Sequence, residues 1–129
     1  MNTTKDIQFI DNKAAQTKPD YYMEITVDLA RVLKSWKNSL YSFEWLNSDG
    51  KIKPLCDLSP PEQAKRQEVE DALKTARPLE RPVLGIGLQD NVEIGSGRAI
   101  VLTLAANGWT HIPVHIPKSC ESDFKPFHA

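Results

Sequence analysis

The stretch that most restricts the fold is residues 98–107, RAIVLTLAAN, because it is apolar on almost every side. A helix without a polar face has to be buried all round, so the rest of the chain must supply layers that enclose it. Glycines mark both of its ends: Gly-Ser-Gly at 95–97 precedes it, and Asn107-Gly108 provides a left-handed stop. The sequence therefore predicts a buried helix between two glycine-marked ends.

Short apolar runs on both sides of this helix predict strands. Residues 83–88 and 92–94 precede it, and residues 112–116 follow it. Pro113 favours an edge position for the last strand, because proline has no N–H to donate to a ladder. Alternating apolar and polar residues over 23–29 predict another, half-buried strand. We therefore expect an α+β domain with a small mixed sheet and packed helices.

Two amphipathic helices are predicted nearer the N-terminus. Asp28 is placed to cap the first, whose apolar stripe runs over residues 29–40. Ser59 is placed to cap the second, since Glu62 stands three residues later as in a capping box. Pro78 ends this second helix. Both helices have a polar face, so we expect them to pack around the sheet at the surface.

The chain organises as one domain with two end segments. Its 129 residues, 40% of them hydrophobic, suit a single core. Residues 1–20 are polar and poorly periodic, which predicts a flexible N-terminal arm, and residues 119–129 read as a C-terminal tail. The domain is expected over 21–118. Within it, Asp49-Gly50 predicts a hairpin joining strands at 41–46 and 51–53.

Charge and cysteine usage narrow the function classes. A net charge of -1 provides no global attraction to nucleic acid, so such binding needs a local basic face. Without a signal peptide or an apolar run of about 18 residues, we expect a cytoplasmic protein with no membrane partner. Cys56 and Cys120 are far apart and lack CxxC spacing, so free thiols are expected.

The turn before the apolar helix combines several anion-binding features. A helix start exposes backbone N–H groups and the positive end of the helix dipole. Glycines allow close approach of the backbone, a hydroxyl adds a donor, and a guanidinium suits phosphate oxygens. The predicted phosphate ligands are Gly95, Ser96, Gly97 and Arg98. The alternative is a turn that only bends the chain, with Arg98 paired to Glu93 or Asp90. Neither a Walker loop nor a dinucleotide fingerprint is present.

Residues 82–116 resemble the signature segment of the ParB/sulfiredoxin-like superfamily. That signature runs from a proline-led strand through Gly-x-x-Arg and an alanine-rich helix to Ile-Pro-Val. The matching positions are Pro82, Gly95, Arg98, Ala105, Ala106, Gly108, Ile112, Pro113 and Val114. The resemblance extends over residues 60–117 and loosely to 23–29. It implies a compact fold that binds phosphate or nucleotide at the helix start. Members include CTP-binding partition proteins, nuclease-like and ATPase-like domains, sulfiredoxins and the plasmid oncogenic-suppression protein Osa.

Departures from the signature restrict which of the family's activities are expected of this chain. Sulfiredoxins carry cysteine where this chain has Ser96 and histidine where it has Gly97, so sulfiredoxin activity is not expected. Many nuclease-like members have aspartate directly before the glycine, and here that residue is Ile94. The nearest acids, Glu93 and Asp90, are the candidate catalytic residues, able to hold a metal or activate water. No further metal ligand is assigned.

Two functions stay open at this point. The first is binding of a nucleotide or nucleic-acid phosphate. The resemblance extends it to Mg²⁺-dependent nuclease or NTPase activity, with ATP or CTP, in a plasmid, phage or defence setting. The second is a non-catalytic module on the same fold that binds a protein partner as a regulator or inhibitor. The missing acid before Gly95 and the missing histidine at Gly97 favour this second function.

Other titratable residues can be interpreted either as metal ligands or as surface and capping residues. His111 and His115 share one face of a strand and could join Cys120 in a zinc site, or they are surface histidines. Glu24 and Asp28 share the polar side of the first strand and could bind Mg²⁺, although Asp28 already serves as a helix cap.

Basic and aromatic residues interleave over 31–53. The basic set is Arg31, Lys34, Lys37, Lys51 and Lys53, and the aromatic set is Trp36, Tyr41, Phe43 and Trp45. Such a mixture can grip phosphates and stack bases, or it can form an interface for a protein partner. Trp36 and Trp45 follow the inward side of their elements and are expected in the core.

Overall fold

A four-stranded sheet with helices on its apolar face forms the body of the protein. The computed structural model describes residues 7–129. The strands are β1 (Phe9–Ile10), β2 (Tyr22–Asp28), β3 (Leu79–Glu80), β4 (Val83–Ile86), β5 (Val92–Ser96) and β6 (His111–Pro117). The helices are α1 (Lys13–Thr17), α2 (Leu29–Trp36), α3 (Pro60–Thr75) and α4 (Arg98–Ala106), with short 3-10 turns between and after them. The predicted α+β class is confirmed.

The main sheet has the order β2-β6-β4-β5, so β6 is a central strand. The edge position expected from Pro113 is therefore wrong. The N–H of His115 donates to the carbonyl of Pro82 at 2.9 Å, and their strands pair only at Val83↔His115. The nitrogen of Pro113, two residues earlier, points to the same side, at a level that β4 does not reach. Proline is tolerated because the β4–β6 pairing, as far as it extends, needs no N–H at this position.

The apolar helix α4 is enclosed as expected. Val101, Leu102 and Leu104 are fully buried, and so is Thr103 between them. The helix contacts α3 and α2, and its buried side chains share one hydrophobic core with those of the sheet. Other fully buried core side chains are Val27, Val32, Trp36, Val92, Ile112, Val114 and Ile116. Among residues 7–129, no helix has the length and apolar character needed to cross a bilayer.

The N-terminal segment is more ordered than the sequence predicts. Residues 1–6 of the expected flexible arm lie outside the described residues. Over 7–20, β1 pairs in parallel with β3, with Phe9 opposite Leu79. Asn12 caps α1 by accepting from the Ala14 N–H at 2.9 Å, and its own side chain is buried. The segment is held by backbone pairing with a distant strand, which a local reading of polarity does not reveal.

The C-terminal segment is also packed against the domain. The 3-10 turn Ser122–Phe127 places Phe124 fully inside the core, with its ring 5.7 Å from the ring of Phe127. Val27 and His128 form an isolated antiparallel bridge, and the Ala129 N–H donates to the Thr26 carbonyl at 3.1 Å. Residues 119–129 therefore extend the domain rather than trail from it.

The hairpin expected at Asp49-Gly50 is reduced to a single bridge. Only Leu46 and Ile52 pair across it, and Ser42–Glu44 is a 3-10 turn. Trp45 is fully buried, as expected, and its Nε1 donates to the Glu62 carboxylate at 2.9 Å. This contact draws the segment under α3 and away from a regular strand. Glu62 thus holds the indole of Trp45. Among the described residues, Ser59, the predicted cap of α3, makes no side-chain capping bond.

We expect Phe124→Ala to lower the free energy of unfolding by about 3–5 kcal/mol, because it leaves a cavity where a phenyl ring fills the core. Urea denaturation measures the change. Lys125→Ala, at the exposed neighbouring position, is the matched control and should have an effect within about 0.5 kcal/mol. An effect of Phe124→Ala as small as that of the control would mean that the C-terminal segment does not belong to the folded unit.

Candidate functional site

The predicted strand-to-helix junction is present at Gly95–Arg98. Strand β5 ends at Ser96, and α4 begins at Arg98. Gly97 is the N-cap, with φ 84° and ψ 28°, a left-handed conformation that favours glycine. A Cβ on Gly97 would also lie 3.1 Å from both Cα and Cβ of Pro82. Gly95 differs, because a Cβ there would make only ordinary contacts, the nearest at 3.6 Å from the Val83 carbonyl oxygen.

The start of α4 presents polar backbone to a cavity. Its first internal bond runs from the Val101 N–H to the Gly97 carbonyl at 3.0 Å. The N–H groups of Arg98, Ala99 and Ile100 precede that bond and have no acceptor within the helix. All three residues line a cavity of about 800 Å³. The helix dipole adds about half a positive charge at this end.

The opposite wall of the cavity is formed by α3 and the segment after it. Val69, Ala72 and Leu79 supply apolar surface there. The volume falls within the range of about 300–1,000 Å³ that is typical of small-molecule sites. Charged lining residues are Glu62, Lys65, Glu68 and Arg77. Lys65 pairs with Glu62 at 3.4 Å, and Arg77 pairs with Asp71 at 2.8 Å. The wall therefore combines apolar side chains with charges of both signs.

The guanidinium of Arg98 is engaged with the segment that follows α2. Its Nη1 bonds to the Glu44 carboxylate. The guanidinium carbon lies 5.2 Å from the ring centroid of Tyr41 and 5.8 Å from that of Trp36, within the range of cation–π contacts. Its Nε is buried without a hydrogen-bond partner among the described residues. Arg98 thus joins the anion turn to residues 36–44.

The candidate catalytic acids are placed elsewhere. Glu93 accepts hydrogen bonds from the Ser39 hydroxyl at 2.7 Å and from the Asn91 amide at 3.0 Å. Asp90 lies in the turn between β4 and β5, with φ 59°. Neither acid belongs to the described cavity wall, and neither is the ion-pair partner of Arg98. Their catalytic role stays a prediction that this placement does not support.

The residues weighed as metal ligands do not assemble. Among residues 7–129, no group of three or more His, Cys, Asp or Glu side chains could hold a metal ion. Asp28 caps α2 as predicted, accepting from the Arg31 N–H at 3.0 Å, and Glu24 lies 3.4 Å from Arg81. Cys56 and Cys120 are both free, as expected. The residues considered as metal ligands are therefore not brought together in one group within the described chain.

Asn12 is the site residue that the sequence did not reveal. Its side-chain amide donates to the Ser96 hydroxyl at 3.3 Å and to the Arg81 carbonyl at 3.0 Å. Its backbone N–H donates to Nε2 of His115 at 3.3 Å. Asparagine before a helix is a recognisable capping signal. Nothing local indicates that the same residue also supports the hydroxyl of the anion turn.

The two histidines have different environments. His111 is exposed, as expected, and its Nδ1 lies 3.0 Å from the Thr110 hydroxyl. His115 was expected at the surface, and this is wrong, because the N-terminal segment covers it. Burial lowers the pKa of His115, and the positive charge of Arg81 lowers it further, while Asp11 and Glu24 act in the opposite direction. The imidazole is therefore neutral and accepts at Nε2.

Comparison with protein-family models, with curated proteins and with solved structures found no match for this chain. What the chain does must therefore be inferred from the placement and chemistry of its own residues. Within the described part, the feature with the clearest chemical character is the uncapped start of α4, which opens onto a cavity with an apolar far wall.

The stability of the protein should fall as the pH decreases below about 6.5, the ordinary pKa of histidine. The folded state holds His115 neutral, so the unfolded chain binds one more proton between that value and the lowered pKa. The part of the stability that depends on neutral His115 is fully present above this window and is lost within it, with a slope of at most about 1.4 kcal/mol per pH unit. His115→Gln removes this titration, and urea denaturation from pH 8 to 5 compares the two proteins. Parallel pH profiles would contradict the assignment.

Substitution at the two glycines should separate their roles. Gly97→Ala is expected to lower the free energy of unfolding by about 1–3 kcal/mol, because the new Cβ is forced into a left-handed conformation against Pro82. Gly95→Ala should change it by no more than about 0.5 kcal/mol. Thermal unfolding measures both. Equal effects would show that the left-handed N-cap is not a structural requirement.

Proposed function

We propose that this protein binds a phosphate-bearing ligand, a nucleotide or a nucleic-acid phosphate, in the cavity between α3 and the start of α4. The observation that carries the proposal is the uncapped N-terminus of α4, whose Arg98, Ala99 and Ile100 line that cavity. It is also the position at which the resemblance to the ParB/sulfiredoxin-like superfamily implies phosphate binding. The sequence pattern and the geometry therefore support the same turn.

The shape of the cavity suits a ligand with a charged end and a flat apolar end. Phosphate oxygens accept from free helix amides, and the helix dipole favours negative charge there. The Ser96 hydroxyl adds a polar group beside the amides. Val69, Ala72 and Leu79 on the far wall suit the face of a base or another planar apolar group. Binding should therefore require both ends of such a ligand.

In this proposal, a ligand phosphate competes with the Glu44 carboxylate for the guanidinium of Arg98. The Glu44 carboxylate already bonds to its guanidinium, as a ligand phosphate would. A phosphate recruits Arg98 only by displacing Glu44 or by sharing the guanidinium with it. The backbone amides are thus the primary anion ligands in this proposal. Arg98 is an additional ligand whose availability depends on Glu44.

The proposal is confined to binding. Mg²⁺-dependent nuclease or NTPase chemistry at Glu93 and Asp90 finds no support in their position, and no catalytic step is assigned to them. The second candidate function, a module that binds another protein, is favoured by a separate observation. Tyr41 and Phe43, beside the Arg98–Glu44 pair, expose more than half of their surface.

A pair of substitutions at Ala99 tests the amide site. Ala99→Glu places a carboxylate on the first turn of α4, where the dipole favours it. Ala99 is half-buried beside the core, so thermal unfolding first checks that Ala99→Glu and Ala99→Gln are equally well folded. The same charge repels phosphate, so affinity for ATP, CTP or a short single-stranded oligonucleotide should fall at least about tenfold relative to Ala99→Gln. Calorimetric titration, with and without Mg²⁺, measures it. Failure of the folded wild type to bind any of the three would overturn the proposal.

Two further variants, measured in the same titration, test how much Arg98 contributes to ligand binding. Glu44→Gln keeps the shape of the partner but removes its charge, so it should strengthen binding severalfold by releasing the guanidinium. Arg98→Ala should weaken binding. If Glu44→Gln has no effect while Ala99→Glu does, the amides bind the ligand without Arg98.

A further inference from the structure

An apolar surface stands open at the end of the molecule where α2 terminates and the β4–β5 turn lies. Leu40 is 80% exposed, Tyr41 55%, Phe43 65% and Leu88 106%. We call these four residues the Leu40–Leu88 surface. Three of them lie in or just before the 3-10 turn Ser42–Glu44, after which Trp45 and Leu46 enter the core.

The surface comes from two segments, one with Leu40, Tyr41 and Phe43 and one with Leu88. Glu93 lies beside residues of both segments. The Ser39 hydroxyl, next to Leu40, donates to the Glu93 carboxylate at 2.7 Å. The Cγ of Glu93 lies where a Cβ on Gly87, next to Leu88, would be only 2.8 Å away. The chain neighbours of Leu40 and Leu88 thus both lie beside the Glu93 side chain, and the absence of a Cβ on Gly87 permits the close approach of Glu93.

Hydrogen bonds and a cation–π contact fix the conformation of the segment that carries Tyr41 and Phe43. The hydroxyl of Ser42 lies 2.9 Å from the carbonyl oxygens of both Lys37 and Ser39, which closes the turn. Tyr41 is held by the guanidinium of Arg98, which is itself paired with Glu44. A patch of large apolar side chains in a fixed arrangement marks an interaction site on a soluble protein.

We propose that a second copy of this chain covers the Leu40–Leu88 surface in a two-fold symmetric dimer. Four large side chains exposed to this degree present roughly 500 Å² of apolar area. A standard interface buries about 800 Å² on each partner, of which about 60% is apolar. The patch therefore supplies the apolar part of one complete side of such an interface.

Charges at the edges of the surface suit pairing with itself. Lys37 and Asp90 are exposed, and neither forms an ion pair within residues 7–129. In the proposed dimer, Lys37 of one copy pairs with Asp90 of the other, and two-fold symmetry repeats this contact. Opposite charges at the rim of one patch make that patch complementary to its own copy.

A single-stranded nucleic acid fits the surface less well. Leu40 and Leu88 have no ring on which a base can stack. The carboxylates of Glu44, Asp90 and Glu93 lie in or beside the patch and repel phosphate. Of the two occupants that the sequence left open over residues 31–53, the structure favours protein.

Sedimentation velocity of the full chain, without ligand, tests the dimer. The wild type should associate reversibly at concentrations up to about 100 μM, and Leu40→Ser with Phe43→Ser should raise the dissociation constant at least about tenfold. Tyr21→Ser is the matched control, since Tyr21 is 52% exposed but outside the surface. A wild type that stays monomeric at every concentration overturns the proposal, and so does a dimer that the double variant leaves intact.

A charge exchange tests the symmetry of the dimer independently of hydrophobic area. Lys37→Glu and Asp90→Lys should each weaken association severalfold, because each opposes like charges at two places in the dimer. The variant that carries both changes should restore association toward the wild-type value. Independent, additive losses would contradict the two-fold arrangement. Binding of a labelled oligo-dT by a wild type that does not self-associate would assign the surface to nucleic acid and overturn the dimer.

Discussion

Enclosure of an all-apolar helix is the constraint on which the rest of this structure depends. With no polar face, α4 gains its stability only when its side chains are buried against α2 and α3 in the common core. Its backbone cannot be buried in the same way, because the first amides of a helix have no internal partners. The structure resolves this conflict by letting the start of α4 open onto a cavity at Gly97. The candidate anion site is therefore a consequence of how the core is built.

The N-terminal segment connects the back of the sheet to that site. Through its backbone and side chain, Asn12 bonds to a neutral buried histidine, His115, and to the Ser96 hydroxyl of the turn. Arg81 lies between Asp11 and Glu24 in the same region, pairing with the first at 2.6 Å and the second at 3.4 Å. Protonation of His115 opposes the Asn12 bond, so the same contact makes this segment sensitive to pH.

Arg98 connects the cavity to the exposed Leu40–Leu88 surface. Its backbone belongs to the helix start, while its guanidinium lies against Tyr41 and bonds to Glu44. Ligand binding at one end and association at the other would therefore both act on a single ion pair. Because an ion pair of this kind has two discrete arrangements, made or broken, the two proposed activities are expected to influence each other.

The sequence by itself determined those features that depend on neighbouring residues. The Asp28 cap, the buried α4, the left-handed Gly108 after it and the α+β class follow from periodicity and from the conformational freedom of single residues. Only the tertiary structure decided which distant groups meet. It made β6 central and brought the segment over 7–20 onto His115. It also left Glu93 and Asp90 off the cavity wall. Such pairings arise when chain segments far apart pack against one core, and no local pattern records the partner that each side chain will find.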